Sequence, residues 1–452
     1  MNQLRNATSH LFYQTDHPRP VLDRAEGIYM WDTEGNRFID GSSGAMVCNI
    51  GHSNPHVLDA MRKQMEKSTF GYRLHFVTEP SERLAAKMVD FAWPGMNRVF
   101  FVSGGSEAVE SAMKLARQYA VAIGQGSRWK IISRFPSYHG CTLGALTVTG
   151  YDQLTDPFKP MMVEMPKVPA PTAWLDGLDP EDPATGEYYA HMLDAKIRAE
   201  GPESVLAFIV EPVGGASTGA LVPPTRYMEA VREVCDRHGV LLIHDEVMSG
   251  GGRTGKLFGG QNWTGAPDIL AVSKGFGAGY MPLGAIVARG DLVDRVLKAG
   301  GFLHGFTYAG NPLACAAGLA VIEEIERQDM MANAVHIGGM IKSHLTALMD
   351  RYPFIGDVRG KGLLLAFELV KDRETKEVLP PELRAYDRLT EQAYKRGLIV
   401  YPRRTRGGYS GDHVIVAPPM ITTEAQVGEI MERLVDALDA FAAECNLPVS
   451  GA

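Results

Sequence analysis

A lysine and an aspartate stand at the ends of two short apolar runs of this 452-residue chain. Lys274 follows residues 269–272, and Asp245 follows residues 241–243. Runs of this kind fit buried strands of a parallel sheet, and ligands of such sheets bind at the carboxyl ends of the strands. Pyridoxal phosphate (PLP) chemistry requires a lysine that forms a Schiff base and a carboxylate that keeps the pyridine nitrogen protonated. The pair therefore predicts a PLP site with Lys274 and Asp245 as catalytic residues.

Residues after three further apolar runs could complete such a site. Gly105 and Ser106 lie in a Gly/Ser turn before a helix, where free backbone N–H groups suit a phosphate. An ordinary helix with Ser106 as its N-cap is the alternative. Tyr138 could stack on a planar heterocycle, with surface or core packing as the alternative. Glu211 could orient a substrate or hold an arginine, with a structural loop acid as the alternative. The set favours one cavity, because all of these positions lie at strand ends.

Composition excludes several classes of function. The formal charge is −8, with no long basic run, so nucleic acid is not an expected partner. No apolar stretch is long enough for a membrane span, and residues 1–6 lack the apolar core of a secretory signal. Adjacent residues of a strand point to opposite faces, so the sequence His244-Asp245-Glu246 does not predict a metal site. The scattered cysteines show no metal-ligand spacing and indicate a reducing cytoplasm; they are Cys48, Cys141, Cys235, Cys315 and Cys445.

The order of elements predicts an α/β protein with two lobes. The chain is longer than a single core supports, and from residue 98 onward short non-alternating apolar runs alternate with helical patterns. A hairpin around residues 32–36 precedes this region, and helices with short strands follow residue 315. We expect residues 61–314 to form a large cofactor-binding domain, and residues 1–60 and 315–452 to form a small one. The proline-rich residues 166–183 are expected to be a surface loop.

Several motifs taken together resemble the class III aminotransferases, which include omega-amino acid and amine:pyruvate transaminases. The motifs are Ser103-Gly104-Gly105-Ser106-Glu107-Ala108, Tyr138-His139-Gly140, Glu211-Pro212-Val213, Asp245-Glu246-Val247, Gly252-Arg253-Thr254-Gly255, Ser273-Lys274-Gly275 and the run from His304 to Pro312. This resemblance implies a fold-type I PLP transferase. Its large domain has a mostly parallel seven-stranded sheet, and its smaller α+β domain is built from both termini.

The resemblance also implies roles for particular residues. The residues expected to bind PLP are Gly105, Ser106, Tyr138, His139, Glu211, Asp245, Val247, Lys274 and Thr307. Thr307 would come from a neighbouring subunit, so we expect a homodimer or a dimer of dimers. The implied reaction is ping-pong transfer of an amino group from a primary amine or omega-amino acid to a small keto acid, with pyruvate expected. An aminomutase or racemase on the same scaffold is the alternative.

The sequence departs from the family pattern in the residues expected to contact substrate. Ala45 and Met46 stand where amine:pyruvate enzymes commonly carry a large aliphatic residue and a tryptophan. We expect a wider pocket beside Tyr138, with ordinary core packing of Ala45 and Met46 as the alternative. Tyr401 stands where many relatives carry a carboxylate-binding arginine, and Arg403, Arg404 and Arg406 follow it in what the sequence indicates is a loop. Our hypothesis is that Arg404 or Arg406 clamps the acceptor carboxylate, although a solvated loop remains open.

Overall fold

The computed structural model describes residues 10–12 and 19–450. Residues 1–6, whose sequence lacks the apolar core of a secretory signal, therefore lie outside the described residues. In chain order the strands are β1 (Leu22–Glu26), β2 (Tyr29–Asp32), β3 (Arg37–Asp40), β4 (Met96–Val102), β5 (Lys130–Phe135), β6 (Lys167–Pro169), β7 (Val205–Val210), β8 (Leu241–Asp245), β9 (Ile269–Val272), β10 (Gly284–Arg289), β11 (Ile355–Lys361), β12 (Leu364–Asp372), β13 (Glu377–Val378), β14 (Leu398–Ile399), β15 (Tyr401–Arg406) and β16 (Ser410–Val416).

The helices connect and cover these strands. They span Ser43–Met46, Pro55–Lys67, Glu79–Phe91, Gly105–Ala122, Leu143–Val148, Asp152–Thr155, Ala173–Asp176, Pro183–Glu200, Tyr227–His238, Gly290–Lys298, Pro312–Arg327, Met330–Arg351, Ala385–Lys395 and Glu424–Cys445. Short 3-10 turns occupy Asp156–Met161, Gly259–Asn262, Lys274–Phe276 and Pro381–Leu383. Among the helices of the described residues, none combines the length and the apolar character that crossing a bilayer requires.

The central sheet has seven strands in the order β4-β10-β9-β8-β7-β5-β6. Strand β10 runs antiparallel to both of its neighbours, and every other neighbouring pair is parallel. Both faces are covered, because Ile243 packs in the core with helix Gly105–Ala122 and Leu242 packs in the core with helix Tyr227–His238. Burial on both faces explains the short apolar runs without alternation. The predicted α/β fold with a mostly parallel seven-stranded sheet is confirmed.

Two expectations about loops are wrong. Residues 167–169 form strand β6 at the edge of the large sheet, although residues 166–183 were expected to be a loop. Residues 401–406 form strand β15, paired with β16, although the arginines were expected to lie in a loop. A strand of three residues ending in proline, or one with three arginines, carries no apolar signal of its own. Pairing with the neighbouring strand fixes each of them.

Segments from both ends of the chain share one sheet and one core. Strand β14 pairs in parallel with β3 in the sheet β1-β2-β3-β14, and β11, β12, β16 and β15 form a second sheet that β13 extends. Ile39 packs in the same core as Leu434. Helix Pro312–Arg327 contributes Val321 to this core and Cys315 to the core beside the large sheet. The domain boundaries at residues 60 and 314 remain predictions, and the second one falls within this shared helix.

Candidate active site

A cavity of about 150 Å³ lies at the carboxyl ends of the parallel strands. Its lining is Gly105, Ser106, Tyr138, His139, Gly140, Glu211, Val213, Ala216, Asp245, Val247, Met248 and Lys274. The fold therefore brings together, from five strand ends, every residue predicted to bind the cofactor except Thr307. The residues predicted to contact substrate are placed differently: only Tyr138 lines the cavity.

Lys274 opens the 3-10 turn that follows β9. Its φ is 45°, a left-handed value that is costly for a residue with a side chain, by about 1–2 kcal/mol. The backbone N–H groups of Gly277 and Ala278 donate to the Lys274 carbonyl at 3.0 and 2.9 Å and hold this conformation. Burial lowers the pKa of Lys274 to about 8, against the opposing effects of Asp245 and Glu211. The amine is therefore largely neutral in mildly alkaline solution, as a nucleophile or a base must be.

Asp245 is the last residue of β8, and only 4% of its surface is exposed. One carboxylate oxygen accepts the Val247 N–H at 3.0 Å, and the other lies 2.7 Å from Nδ1 of His139. An ionised carboxylate only accepts, so Nδ1–H of His139 is the donor. The backbone N–H of His139 in turn donates to Oγ1 of Thr149 at 2.9 Å. The carboxylate is thus fixed from two sides before any ligand binds.

The neighbours of Asp245 point away from the cavity, as strand alternation predicts. Glu246 accepts from the N–H groups of Gly259 and Gly260, and burial raises its pKa to about 7. His244 packs edge-on against Trp93, with ring centroids 6.2 Å apart. Burial lowers the pKa of His244 to about 3, so its imidazole is neutral. His244, Asp245 and Glu246 therefore do not converge on one point.

Glu211 is held by an arginine that the sequence analysis did not single out. Arg134, inside β5, donates from Nη2 to the Glu211 carbonyl at 2.9 Å and lies 3.5 Å from its carboxylate. The Gly215 N–H donates to the other carboxylate oxygen at 3.0 Å. Burial raises the pKa of Glu211, and the charge of Arg134 opposes that shift. An arginine within an apolar strand was the available sequence signal, since a buried guanidinium needs a partner.

The Gly/Ser turn leaves backbone donors free. Gly104, not Ser106, is the N-cap of helix Gly105–Ala122, and no side chain caps that position. Ser106 is the second residue of the helix, and its Oγ accepts the Cys141 N–H at 3.0 Å. A Cβ on Gly105 would lie 2.8 Å from Val247, so a side chain at this position would clash with a residue that lines the cavity. Free N–H groups at a helix start, beside a hydroxyl, fit a phosphate.

The rest of the cavity fits a planar heterocycle with a basic nitrogen. Val247 and Tyr138 both line it and offer an apolar face and an aromatic ring. Burial raises the pKa of Tyr138 to about 12, so its phenol keeps its proton. Asp245 supplies the anion for a protonated ring nitrogen, and Lys274 supplies the amine for an aldehyde. The residues present therefore match PLP at every group of the cofactor that they can contact.

Ala45 and Met46, which were expected to widen the pocket, lie outside the cavity lining. Met46 is 1% exposed and packs in a core cluster with Val213 and, at its edge, Met248, both of which line the cavity. Ala45 is partly buried beside it. Met46 therefore backs the wall of the cavity instead of forming its surface.

Strand β15 separates the three arginines that the sequence left undecided. Arg404 donates to Asp412 at 2.7 Å and to the Tyr409 carbonyl at 3.0 Å, and it stacks on a tyrosine ring. Arg406 donates to the Lys376 carbonyl at 3.2 Å and lines a different cavity, of about 160 Å³. Neither guanidinium lines the predicted cofactor cavity. Adjacent strand residues face opposite sides, so Arg404 and Arg406 share the face opposite to Arg403.

Arg403 faces the other way. It is exposed, lies 4.8 Å from the ring centroid of Tyr401, and donates to that phenol at 2.8 Å. Tyr401 packs at the edge of the cluster that contains Met46 and Val213. Arg403 and Tyr401 are two positions apart on β15 and therefore share one face of the strand, the face toward this cluster. Of the three arginines, Arg403 is the one on this face.

Thr307 is exposed in the turn that precedes helix Pro312–Arg327, away from the cavity of its own chain. Leu303 and Tyr308 nearby are 82% and 63% exposed. Its predicted role in the site of a neighbouring subunit stays a prediction.

Comparison with known proteins gives a consistent result. The model of the family described as "Aminotransferase class-III" matches residues 12–438. A putrescine–pyruvate aminotransferase of Pseudomonas aeruginosa is 33% identical, over 94% of this chain and 91% of that protein. An (S)-enantioselective omega-transaminase of Thermomicrobium roseum has a TM-score of 0.89 and 35% identity, covering 96% of both chains.

The cofactor follows from the same comparison. An amine transaminase from an uncultivated Pseudomonas species, solved in its PLP-bound form, has a TM-score of 0.89 and 34% identity, covering 96% of this chain and 99% of that one. The cavity with Lys274 and Asp245 supplies the groups that PLP needs. This chain belongs to the class III aminotransferases, PLP-dependent enzymes of fold type I.

Proposed function

We propose that this enzyme transfers an amino group from a primary amine or omega-amino acid with a bulky substituent to a small keto acid, with pyruvate preferred, by a ping-pong mechanism. The observation that carries the proposal is the pairing of Lys274 and Asp245 in one cavity. Arg403 bonds to Tyr401, which packs at the edge of the cluster that contains Val213 of the cavity wall. The Pseudomonas aeruginosa relative is named for putrescine and pyruvate, which supports an amine donor and a pyruvate acceptor.

PLP, when bound, supplies an electron sink for the carbon that loses a proton. Lys274 would remove that proton with Nζ and return it to the other reacting carbon, which its lowered pKa favours. Asp245 would keep the ring nitrogen protonated, and His139 would hold the Asp245 carboxylate in place. Gly105 and Ser106 would bind the phosphate through N–H groups and a hydroxyl.

Arg403 would bind the carboxylate of the acceptor. Its side chain is exposed, and among the described residues it donates to Tyr401 and to a backbone carbonyl, so its remaining N–H groups are available for a bidentate contact. The stack on Tyr401 restrains the guanidinium without neutralising it. When the donor is an amine without a carboxylate, an exposed side chain can point into solvent and leave room for it.

The donor pocket would accept a bulky substituent on the side that Met46 supports. Val213, Ala216 and Met248 form this side of the cavity, and a flexible methionine lies both in the wall and behind it. Thioether side chains adjust to irregular shapes more easily than a tryptophan does. The proposal therefore predicts better turnover of branched or aromatic amines than of short linear ones.

Two further features belong to the proposal. The working unit would be a homodimer, with Thr307 of one chain completing the phosphate site of the other. The location would be the cytoplasm, where the five cysteines, all unpaired in the structure, would remain reduced.

A panel of amines tested against pyruvate and 2-oxoglutarate decides the function. The expected result is formation of alanine from pyruvate, faster than glutamate from 2-oxoglutarate, with parallel double-reciprocal plots. Interconversion of amine isomers without any keto acid would instead identify an aminomutase or racemase. Faster transfer to 2-oxoglutarate would retain the aminotransferase class and overturn the proposed acceptor.

A further inference from the structure

A second cluster of reactive side chains lies outside the cofactor cavity. Asp40 ends strand β3, and Cys48 and His52 follow the short helix Ser43–Met46. One donor atom from each residue lies within 4.8 Å of the donor atoms of the other two. Asp40 is fully buried, whereas Cys48 and His52 are partly exposed. The cluster therefore has a buried anchor and a side that solvent can reach.

Local hydrogen bonds orient the donors in advance. One oxygen of the Asp40 carboxylate accepts the Gly44 N–H at 2.8 Å, and the other lies 2.9 Å from Nε2 of His52. The backbone of His52 exchanges two hydrogen bonds with Gly27, at 3.1 and 2.9 Å. Cys48 donates its N–H to the Ser43 carbonyl at 3.1 Å. Three backbone segments thus hold the three side chains in place.

We propose that Asp40, Cys48 and His52 form a zinc-binding site. A thiolate, an imidazole and a carboxylate are the donor types that Zn²⁺ takes in proteins, and three protein ligands leave a fourth position open to water. The thiolate and the carboxylate together balance the charge of the ion. An internal ion pair between Asp40 and His52 is the alternative explanation for these two residues. That alternative does not explain why the thiol of Cys48 lies beside the pair.

The site was not apparent from the sequence. Three residues separate Cys48 from His52. The expectation of no metal site depended on the spacing among the cysteines and on the run at His244, and neither of these includes this pair. Asp40 joins the pair only because strand β3 ends against the turn that carries them. The antiparallel contact between Gly27 and His52 closes this arrangement.

Zinc here would restrain a segment that contacts the catalytic turn. A Cβ on Gly279 would lie 3.0 Å from Sγ of Cys48, and Asn49 packs directly against Gly275, the residue after Lys274. Asn49 also accepts from Arg253 at 2.6 Å. Because the ion would bind the folded chain and not the unfolded one, we expect it to raise the melting temperature.

Cadmium provides a direct probe of the thiolate, since bonding of Cd²⁺ to sulfur gives an ultraviolet charge-transfer band. The PLP-saturated enzyme, treated first with a chelator, would be titrated with Cd²⁺ and then with Zn²⁺ in competition. We expect one equivalent of Cd²⁺, full displacement by Zn²⁺, and a higher melting temperature with either ion. An enzyme without the band, or with a band that Zn²⁺ does not displace, contradicts the proposal.

Matched variants assign the site. Cys48→Ser should lose the band and the thermal shift, whereas Cys445→Ser, which removes a partly buried thiol at the end of the last helix, should keep both. A band that persists in Cys48→Ser overturns the assignment. Should Cys48→Ser fail to fold, Asp40→Asn decides, because its side chain can still accept the Gly44 N–H. We expect its affinity for Zn²⁺ to fall at least tenfold, and an unchanged affinity would contradict the site.

Discussion

The two sides of the active-site cavity are built in different ways. The cofactor side takes its residues from five strand ends of one sheet. Fixed partners hold two of them: His139 holds Asp245, and the backbone of its own turn holds Lys274. The proposed substrate side combines the loop that follows β7 with strand β15, which belongs to another sheet and lies outside the cavity lining, and its arginine is exposed. The fixed residues of the cofactor side suit chemistry that a whole family shares, while the residues of the proposed substrate side can vary with the substrate.

The largest effect on activity should come from a substitution on the cofactor side. Lys274→Ala removes the only group in the proposed mechanism that moves the proton, so kcat should fall by about 10³-fold or more. The measurement is alanine formation under saturating amine and pyruvate. Circular dichroism should match the parent enzyme, since Lys274 makes no side-chain hydrogen bond with the described residues. Activity within tenfold of the parent would remove Lys274 from the mechanism.

Asp245→Asn should have the second largest effect. The variant keeps the shape of the side chain but loses the charge that holds a ring nitrogen protonated, so we expect kcat to fall by about 10²- to 10³-fold. The matched control is Glu246→Gln, which changes a carboxylate of the same strand end that faces away from the cavity. Equal losses in both variants would mean that the charge at position 245 has no special role.

The pKa of Lys274 predicts how cofactor loading depends on pH. The neutral amine attacks the aldehyde, and each pH unit below the pKa reduces its fraction about tenfold. With the pKa lowered to about 8, the rate at which the apoenzyme captures PLP should rise about 50-fold from pH 6 to pH 8, by about twofold more up to pH 9, and then level off. Stopped-flow absorbance after mixing measures this rate. A rate that still rises above pH 9 would indicate an ordinary lysine.

The substrate side can be tested with a matched pair of arginines. Arg403→Ala removes a charge-assisted contact to the keto acid, so its KM should rise about 10- to 100-fold while the melting temperature stays unchanged. Arg404→Ala instead breaks a largely buried pair with Asp412 and should lower the free energy of unfolding by about 3 kcal/mol. Keto-acid saturation kinetics and thermal melts separate the two outcomes. The reverse pattern would restore Arg404 as the carboxylate ligand.

These two sides also mark the limit of what the sequence could predict. Lys274 and Asp245 were found because the apolar strands before them dictate where a ligand crevice lies. The sequence could not show which arginine faces the substrate. Arg403 and Arg404 lie on opposite faces of a strand, and that strand has no apolar pattern to mark its faces. The Arg134–Glu211 pair and the cluster of Asp40, Cys48 and His52 depend on segments brought together by the fold. Residues at the ends of local elements were predictable, and those placed by pairing between distant segments were not.

The smallest effect concerns the size of the amine. Met46→Trp would push against Val213 and the cavity wall, with a cost of about 1–3 kcal/mol from overpacking. The value of kcat/KM should fall about tenfold for a branched aromatic amine and change little for a short linear one. Met46→Leu, which nearly conserves volume, should leave both values unchanged. Because Met46 lies behind the wall, an equal loss for both amines would mean that its packing supports the whole site and does not select the donor.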